Sequence, residues 1–229
     1  YGFARNPNDP AQWNYLVDPQ NKIALIRLER FNGKTTEELK AALEQARQQG
    51  MKSLILDLRG NPGGLLNEAC SVSDLFLTSG GIVSTKNRDG KGRNETAVDN
   101  KSWLENPAEL PIVVLIDRNS ASASEIVAAA LQENGRAVLI GERSYGKGSV
   151  QKVFHLPPDE KRAVKLTAET WQTPGGRNIH RTRESKETDS WGVLPSEGHA
   201  MKLSIEDLRK IAMLRRKVDV IPGKNGAPI

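Results

Sequence analysis

Residues 112–126 run Ile-Val-Val-Leu-Ile-Asp-Arg-Asn-Ser-Ala-Ser-Ala-Ser-Glu-Ile, and this stretch decides the fold class. A short, continuous apolar run before a polar turn is typical of a strand that is buried on both faces of a parallel sheet. The pattern then predicts a helix over 122–134, which Gly135 ends, and another strand over 137–140. This strand–helix–strand unit indicates an α/β protein.

The remaining sequence extends the same alternation of strands and helices. Short apolar runs predict strands at 23–28 and 53–58, the second again buried on both faces. Apolar residues at helical spacing predict helices at about 35–50, 65–77 and 204–216. The first of these helices is expected to begin with a capping box at Thr35-Thr-Glu-Glu38, and the last with Ser204 as its N-cap.

Antiparallel hairpins are predicted in addition to this alternation. One pairs 82–86 with a strand after Asp89-Gly90, and another pairs 150–156 with 163–171. A short hairpin is also expected around Trp13 to Val17, within an N-terminal extension over residues 1–21. The predicted core domain covers 22–216, and 217–229 form a C-terminal tail.

The composition limits the classes of function. With 37% hydrophobic and 27% charged residues, the 229-residue chain has the balance of a globular domain. No apolar run approaches the ~20 residues of a membrane span, so no stable membrane insertion is predicted. The net charge of +5 suggests nucleic acid at first, but the basic residues are scattered and no aromatic residues alternate with them. We therefore predict no nucleic-acid partner.

A serine ladder and a lysine between two glycines carry the chemistry. Ser120, Ser122 and Ser124 all lie near a predicted helix start, where N-capping is the ordinary role of a serine. These residues alone do not distinguish the three. Lys147 lies in Gly141-Glu-Arg-Ser-Tyr-Gly-Lys-Gly-Ser-Val-Gln151, and a desolvated lysine is one known base for a serine nucleophile.

Four separated motifs together resemble the C-terminal processing (tail-specific) peptidases, a family of serine peptidases. The resemblance covers roughly residues 20–200. The motifs are 112–126 with Tyr145-Gly-Lys-Gly-Ser-Val-Gln151, Leu54-Ile-Leu-Asp-Leu-Arg-Gly-Asn-Pro-Gly-Gly-Leu65, Thr173-Pro-Gly-Gly-Arg-Asn-Ile179, and Gly192-Val-Leu-Pro195. The resemblance implies the crotonase/ClpP-like fold, in which strand–strand–helix units are stacked.

The resemblance also implies a Ser–Lys dyad that cleaves protein substrates through an acyl-enzyme. It identifies Ser122 as the nucleophile, Lys147 as the general base and Gln151 as the group that orients the lysine. It further implies that the backbone amides of Gly64 and Ala123 form the oxyanion hole. No metal or organic cofactor is implied.

The family pattern further predicts the partners and the location of the protein. Substrates are expected to be proteins or peptides, bound extended near their C-terminus. Members usually carry a PDZ domain, for which residues 1–21 are too short, so we expect it in a parent protein or expect a PDZ-less relative. The resemblance implies an exported, periplasmic or cell-envelope location, although residues 1–21 contain no signal peptide.

Other interpretations of the same residues remain open. His155 is the one histidine placed to support a Ser–His mechanism instead of Lys147. Asp57 and Arg59 are predicted to form a structural ion pair or loop brace. The fold also occurs in non-catalytic modules similar to those of interphotoreceptor retinoid-binding protein, and glycine-rich oxyanion loops occur in crotonase-type acyl-CoA enzymes.

Overall fold

The computed structural model describes residues 1–6, 9–98, 110–157 and 162–219. The strands are β1 (Ala4–Asn6), β2 (Asp9–Asn14), β3 (Leu16–Asp18), β4 (Ile23–Arg27), β5 (Ser53–Asp57), β6 (Gly81–Asn87), β7 (Gly92–Thr96), β8 (Ile112–Ile116), β9 (Val138–Gly141), β10 (Ser149–Leu156) and β11 (Arg162–Gln172). The helices are α1 (Thr35–Gln48), α2 (Leu66–Asp74), α3 (Ala123–Glu133) and α4 (Ile205–Asp219). The predicted core elements are all present, with ends that differ by a few residues.

A five-stranded sheet forms the centre, in the order β3-β4-β5-β8-β9. The last four of these strands are parallel, and β3 pairs antiparallel with β4 at one edge. The carboxyl ends of β5 and β8 therefore lie side by side, and the loops that follow them start from the same edge. This adjacency brings the glycine-rich turn after β5 next to the serine ladder after β8.

The prediction that β5 and β8 are buried on both faces is wrong. Their burial alternates, with fully buried residues on one face and half-buried residues on the other, except that Asp57 at the end of β5 is also buried. Helices α1, α2 and α3 cover the buried face, where their apolar side chains join those of the strands in one core. The other face is covered less completely: Leu115 and Ile140 line a groove that α4 also borders.

A second, antiparallel sheet has the order β10-β11-β6-β7 and contains both predicted hairpins. The hairpin expected around Trp13 to Val17 takes a different form, because β1 pairs with β2 while β3 pairs with β4. None of the helices in the described ranges is both long and apolar enough to cross a membrane.

The two predicted helix starts have opposite outcomes. Ser204 caps α4 as expected, with its Oγ accepting a hydrogen bond from the Asp207 amide at 3.1 Å. The capping box at Thr35 is wrong, since α1 already begins at Thr35 and its N-cap is Lys34, without a side-chain cap. The Thr36 amide instead donates to Glu68 Oε2 of α2 at 2.9 Å, so a neighbouring helix satisfies this end.

Candidate active site

The three serines of the ladder have different environments. Ser120 Oγ donates to the Leu58 carbonyl at 2.8 Å, and Ser124 Oγ donates to the Asn61 carbonyl at 3.0 Å. Both side chains are fully buried and tie the ladder to the neighbouring loop. Ser122 is half-buried and lines a cleft of about 360 Å³. The structure thus separates one solvent-facing serine from two structural ones, a choice that residue types alone left open.

Ser122 is held in a strained backbone conformation at the start of α3. Its φ is 56° and its ψ is −115°, and it is one of two non-glycine residues with positive φ in the described part of the chain. Such a conformation costs about 1–3 kcal/mol and persists only where surrounding contacts impose it. One such contact is the hydrogen bond of 2.7 Å from the Ser122 amide to Glu125 Oε2.

The glycine-rich turn after β5 packs directly against this serine. A methyl group added to Gly63 would lie 2.5 Å from the Ala121 carbonyl oxygen and 2.8 Å from the Ala123 nitrogen. A methyl group on Gly64 would lie 1.9 Å from the Phe31 carbonyl oxygen. Both glycines also have positive φ, at 94° and 155°. Only glycine fits at these two positions, because any side chain would push the turn away from the serine.

The amides of Gly64 and Ala123 both belong to residues that line the cleft. Within the described residues, neither amide donates a hydrogen bond to the protein. The Ala123 amide is free because it lies in the first turn of α3, where backbone donors have no partner within the helix. Two free amides beside a serine hydroxyl have the composition of an oxyanion hole.

Lys147 enters the same cleft from the loop between β9 and β10. A methyl group on Gly146 would lie 2.8 Å from Arg181 Cβ, and one on Gly148 would lie 2.9 Å from His180 Cβ. The glycines therefore allow a neighbouring segment to pack closely on either side of the lysine. Lys147 is half-buried, and no described carboxylate forms an ion pair with it.

Gln151 also lines the cleft. In a regular strand, positions 147 and 151 would share a face, but the structure differs from this. Lys147 precedes β10, and the pairing of β10 with β11 shifts register between Val150 and Gln151. The two residues therefore do not share a face of one regular strand; the loop and the bulge bring them together. His155, farther along β10, is exposed and does not line the cleft.

Glu125 is the residue that the sequence analysis missed. Its fully buried carboxylate accepts four hydrogen bonds: at Oε1 from Ser144 Oγ (2.5 Å) and the Gly146 amide (2.6 Å), and at Oε2 from the amides of Ser122 (2.7 Å) and Lys147 (2.9 Å). Burial raises the pKa of Glu125, and the four donors oppose part of that rise. One carboxylate therefore links the backbone of Ser122 to the loop between β9 and β10, which carries Lys147. The sequence signal that could have identified Glu125 is its position three residues after Ser122, which is the spacing of a capping box.

Asp57 and Arg59 form the structural ion pair that was predicted. Arg59 Nε and Nη2 each donate to the Asp57 carboxylate at 2.8 Å, and Arg215 of α4 contacts the same carboxylate. Burial alone would raise the pKa of Asp57, but the two guanidinium groups outweigh it and lower that pKa. Neither Asp57 nor Arg59 lines the cleft.

The predicted site residues all meet in this one cleft. Those present are Gly64, Ser122, Ala123, Lys147 and Gln151. Apolar side chains of Leu65, Leu66, Ile126, Val150 and Trp171 complete its walls. In the described ranges, no group of three or more His, Cys, Asp or Glu residues could hold a metal ion.

Comparison with known proteins identifies the family. Residues 22–193 match the model of peptidase family S41. The chain belongs to this family. A carboxyl-terminal-processing protease of Picosynechococcus is 38% identical over 207 residues, which cover 86% of this chain and 46% of that protein. The carboxy-terminal processing protease CtpA of Bacillus subtilis is 38% identical over 173 residues, covering 75% of this chain and 36% of its own length.

Solved structures agree with the S41 assignment. The photosystem II D1 C-terminal processing protease superposes with a TM-score of 0.65 at 32% identity, covering 80% of this chain and 42% of that one. A putative S41 protease from Bacteroides fragilis has a TM-score of 0.63 at 17% identity, covers 82% of this chain and 49% of that one, and supports the fold alone. These similarities confirm the family and the crotonase/ClpP-like fold. The chain spans less than half the length of the relatives named here.

Proposed function

We propose that this chain is the core of a serine endopeptidase of the C-terminal processing type, acting through a Ser–Lys dyad. The observation that carries the proposal is the half-buried Ser122, which shares one cleft with Lys147 and with two backbone amides that donate no hydrogen bond within the described residues. Membership of peptidase family S41 supports the same activity.

In the proposed mechanism, Ser122 Oγ attacks the scissile carbonyl carbon while neutral Lys147 accepts the hydroxyl proton. The Gly64 and Ala123 amides stabilise the tetrahedral oxyanion. Its collapse breaks the C–N bond, and the lysine returns the proton to the leaving amine. Water then attacks the acyl-enzyme with Lys147 as base, which releases the acid product and restores the serine.

Among the described residues, Ser122 Oγ and Lys147 Nζ do not share a hydrogen bond. Catalytic hydrogen bonds are often long in the free enzyme and tighten in the substrate complex. We therefore propose that substrate binding completes the dyad, with Gln151 orienting the lysine.

The substrates are proposed to be proteins or peptides that bind in an extended conformation near their C-terminus. Strand β10 is at the end of its sheet in the described strands, and its first residues line the cleft. An extended peptide could add to this edge through backbone hydrogen bonds. We further propose, on the family resemblance, that a PDZ domain in the parent protein supplies tail recognition and that the protein is exported to the periplasm or cell envelope.

A fluorophosphonate probe followed by peptide mass spectrometry tests the proposal. We expect one adduct, on Ser122, and no adduct on the Ser122→Ala variant. That variant should also fail to cleave an unfolded model protein, because the nucleophile often contributes ~10⁴-fold or more to turnover. Cleavage at wild-type rate by Ser122→Ala would refute the assignment. A chain that neither labels nor cleaves would instead favour a non-catalytic binding module or an acyl-CoA enzyme.

A further inference from the structure

The cleft around Ser122 has an unbalanced positive charge. Besides the proposed base Lys147, two further basic side chains line it, from Arg30 and Lys165. In the described ranges, no aspartate or glutamate side chain lines it. Clefts lined by charges of one sign concentrate ligands of the opposite sign. The proposed mechanism gives no role to Arg30 or Lys165, because it uses only Lys147, as a neutral base.

Lys165 is carried on the hairpin that borders the cleft. It lies opposite Val153, and Gln151 lies opposite Thr167, in the register of β10 with β11. Because side chains alternate across a strand, Gln151, Val153 and Lys165 share the hairpin face that is turned to the cleft. Lys165 is exposed and forms no ion pair with a described residue.

Arg30 approaches the cleft from a different element. It follows β4 and precedes Phe31, whose carbonyl accepts the Leu65 amide of the glycine-rich turn at 2.9 Å. Its side chain is exposed and, among the described residues, is in no ion pair. The two cations thus come from the loop after β4 and from the hairpin, and Ser122 lines the same cleft.

Three carboxylates that lie close to cleft residues in the chain are already engaged. Glu29, the residue before Arg30, is in an ion pair with Arg27 at 3.3 Å. Glu125 lies behind Ser122 and is saturated by four donors. Glu169 of β11 is in an ion pair with Lys152, on the other face of the hairpin from Gln151. Among the described residues, none of these three carboxylates forms an ion pair with Arg30 or Lys165.

We propose that Arg30 and Lys165 give the cleft a specificity for a carboxylate that the substrate carries within a few residues of the scissile bond. The inference rests on the proposed peptidase function and names its substrate class. The carboxylate can belong to an aspartate or glutamate side chain or to the chain terminus. Since exposed ion pairs are individually weak, two together should give a preference of about threefold to tenfold.

Binding to the Ser122→Ala variant separates this inference from the catalytic one. Fluorescence anisotropy would compare matched peptides in which one Glu, Gln or Lys is moved through the positions around the cleavage site. Each peptide is made with a free acid and with an amide at its C-terminus. We expect Glu or the free acid to bind about threefold to tenfold more tightly than its neutral counterpart, and Lys more weakly. The preference should decrease in high salt.

Charge variants assign the effect to the two residues. In Arg30→Gln and Lys165→Gln, the ratio of carboxylate to neutral affinity should decrease toward one, and Lys165→Glu should favour the Lys peptide. Lys40→Gln on α1 is the control, because it removes one exposed charge without lining the cleft. Equal affinity for the Glu, Gln and Lys peptides in both acid and amide forms would overturn the inference. So would an equal loss of preference in the Lys40 control.

The two proposals therefore fail in different ways. Absence of a Ser122 adduct or of cleavage contradicts the peptidase, while the binding assay does not depend on turnover. Charge-independent binding by a chain that does cleave contradicts only the carboxylate specificity.

Discussion

Replacing Glu125 by glutamine should disable the site without removing any group that touches the substrate. The carboxylate uses Oε1 for Ser144 and Gly146 and Oε2 for Ser122 and Lys147. Glutamine keeps one acceptor oxygen and replaces the other by an NH₂ group, which would face two donors. Two charge-assisted hydrogen bonds are lost, each contributing about 1.5–3 kcal/mol, so Glu125→Gln should lower the free energy of unfolding by about 3–6 kcal/mol.

The activity should decrease by more than the loss of folded protein explains. Whichever oxygen glutamine retains, either Ser122 and Lys147 or Ser144 and Gly146 lose their shared acceptor, and the serine moves relative to the lysine. A displacement of about 1 Å can cost ~10²-fold in rate. The assay combines urea unfolding with the fluorophosphonate labelling rate of Ser122, measured where circular dichroism shows the variant folded.

Glu142→Gln is the matched control for Glu125→Gln. Glu142 pairs with Arg118, whose side chain is 58% exposed, so its loss should cost at most about 1 kcal/mol and leave the labelling rate unchanged. If folded Glu125→Gln labelled Ser122 within threefold of the wild-type rate, the buried carboxylate would not position the dyad, and the reasoning would be wrong.

Five further substitutions probe the site and the fold around it. Lys147→Arg should be inactive, because a guanidinium does not release its proton, and His155→Ala should remain active; peptide hydrolysis with the opposite pattern would favour a Ser–His mechanism. Asp57→Asn should destabilise the fold by about 3–5 kcal/mol at pH 7, since it leaves its arginines without their carboxylate. Because the folded pKa of Asp57 is lowered, its stabilisation is present above the unfolded pKa of about 3.9 and is lost as the pH falls through the folded pKa. Urea titrations from pH 6 to 3 should show that the free energies of unfolding of wild type and Asp57→Asn differ less at the acid end. A difference that stays constant with pH would contradict the ion-pair argument. Gly63→Ala should abolish labelling of Ser122, whereas Gly60→Ala, which also has positive φ but no atom within 4 Å of the added methyl, should only lose stability.

Much of the fold and part of the site could be predicted because they depend on local properties of the chain. The apolar run at 112–116 predicted a strand, and the periodic pattern after it predicted α3. The glycines at 63 and 64 and those beside Lys147 marked positions where the backbone must approach other segments closely. Glycine indicates such positions directly, because a residue with a side chain would clash there.

The sequence predicted burial and helix capping less well. The length of an apolar run does not reveal which layer covers each face of a sheet. The sequence therefore predicted that β5 and β8 are buried on both faces, whereas one face is only half-buried. Likewise, Thr36 of α1 is capped by Glu68 of another helix, a partner 32 positions away in the chain. Local propensity contains no information about such a partner.

By itself, the sequence determined the strand–helix–strand order, the family and the set of groups from which a site could be built. Only the tertiary structure decided what each group does. Ser120 and Ser124 are structural because carbonyls 62 and 63 positions away accept hydrogen bonds from their hydroxyls. Of these three serines, only Ser122 lines the cleft. Glu125 joins the serine to the lysine loop because its partners on that loop, 19 to 22 positions away, converge on one buried carboxylate. The physical reason is that conformational preference is a property of neighbouring residues, whereas hydrogen-bond partners and burial are set by the packing of distant ones.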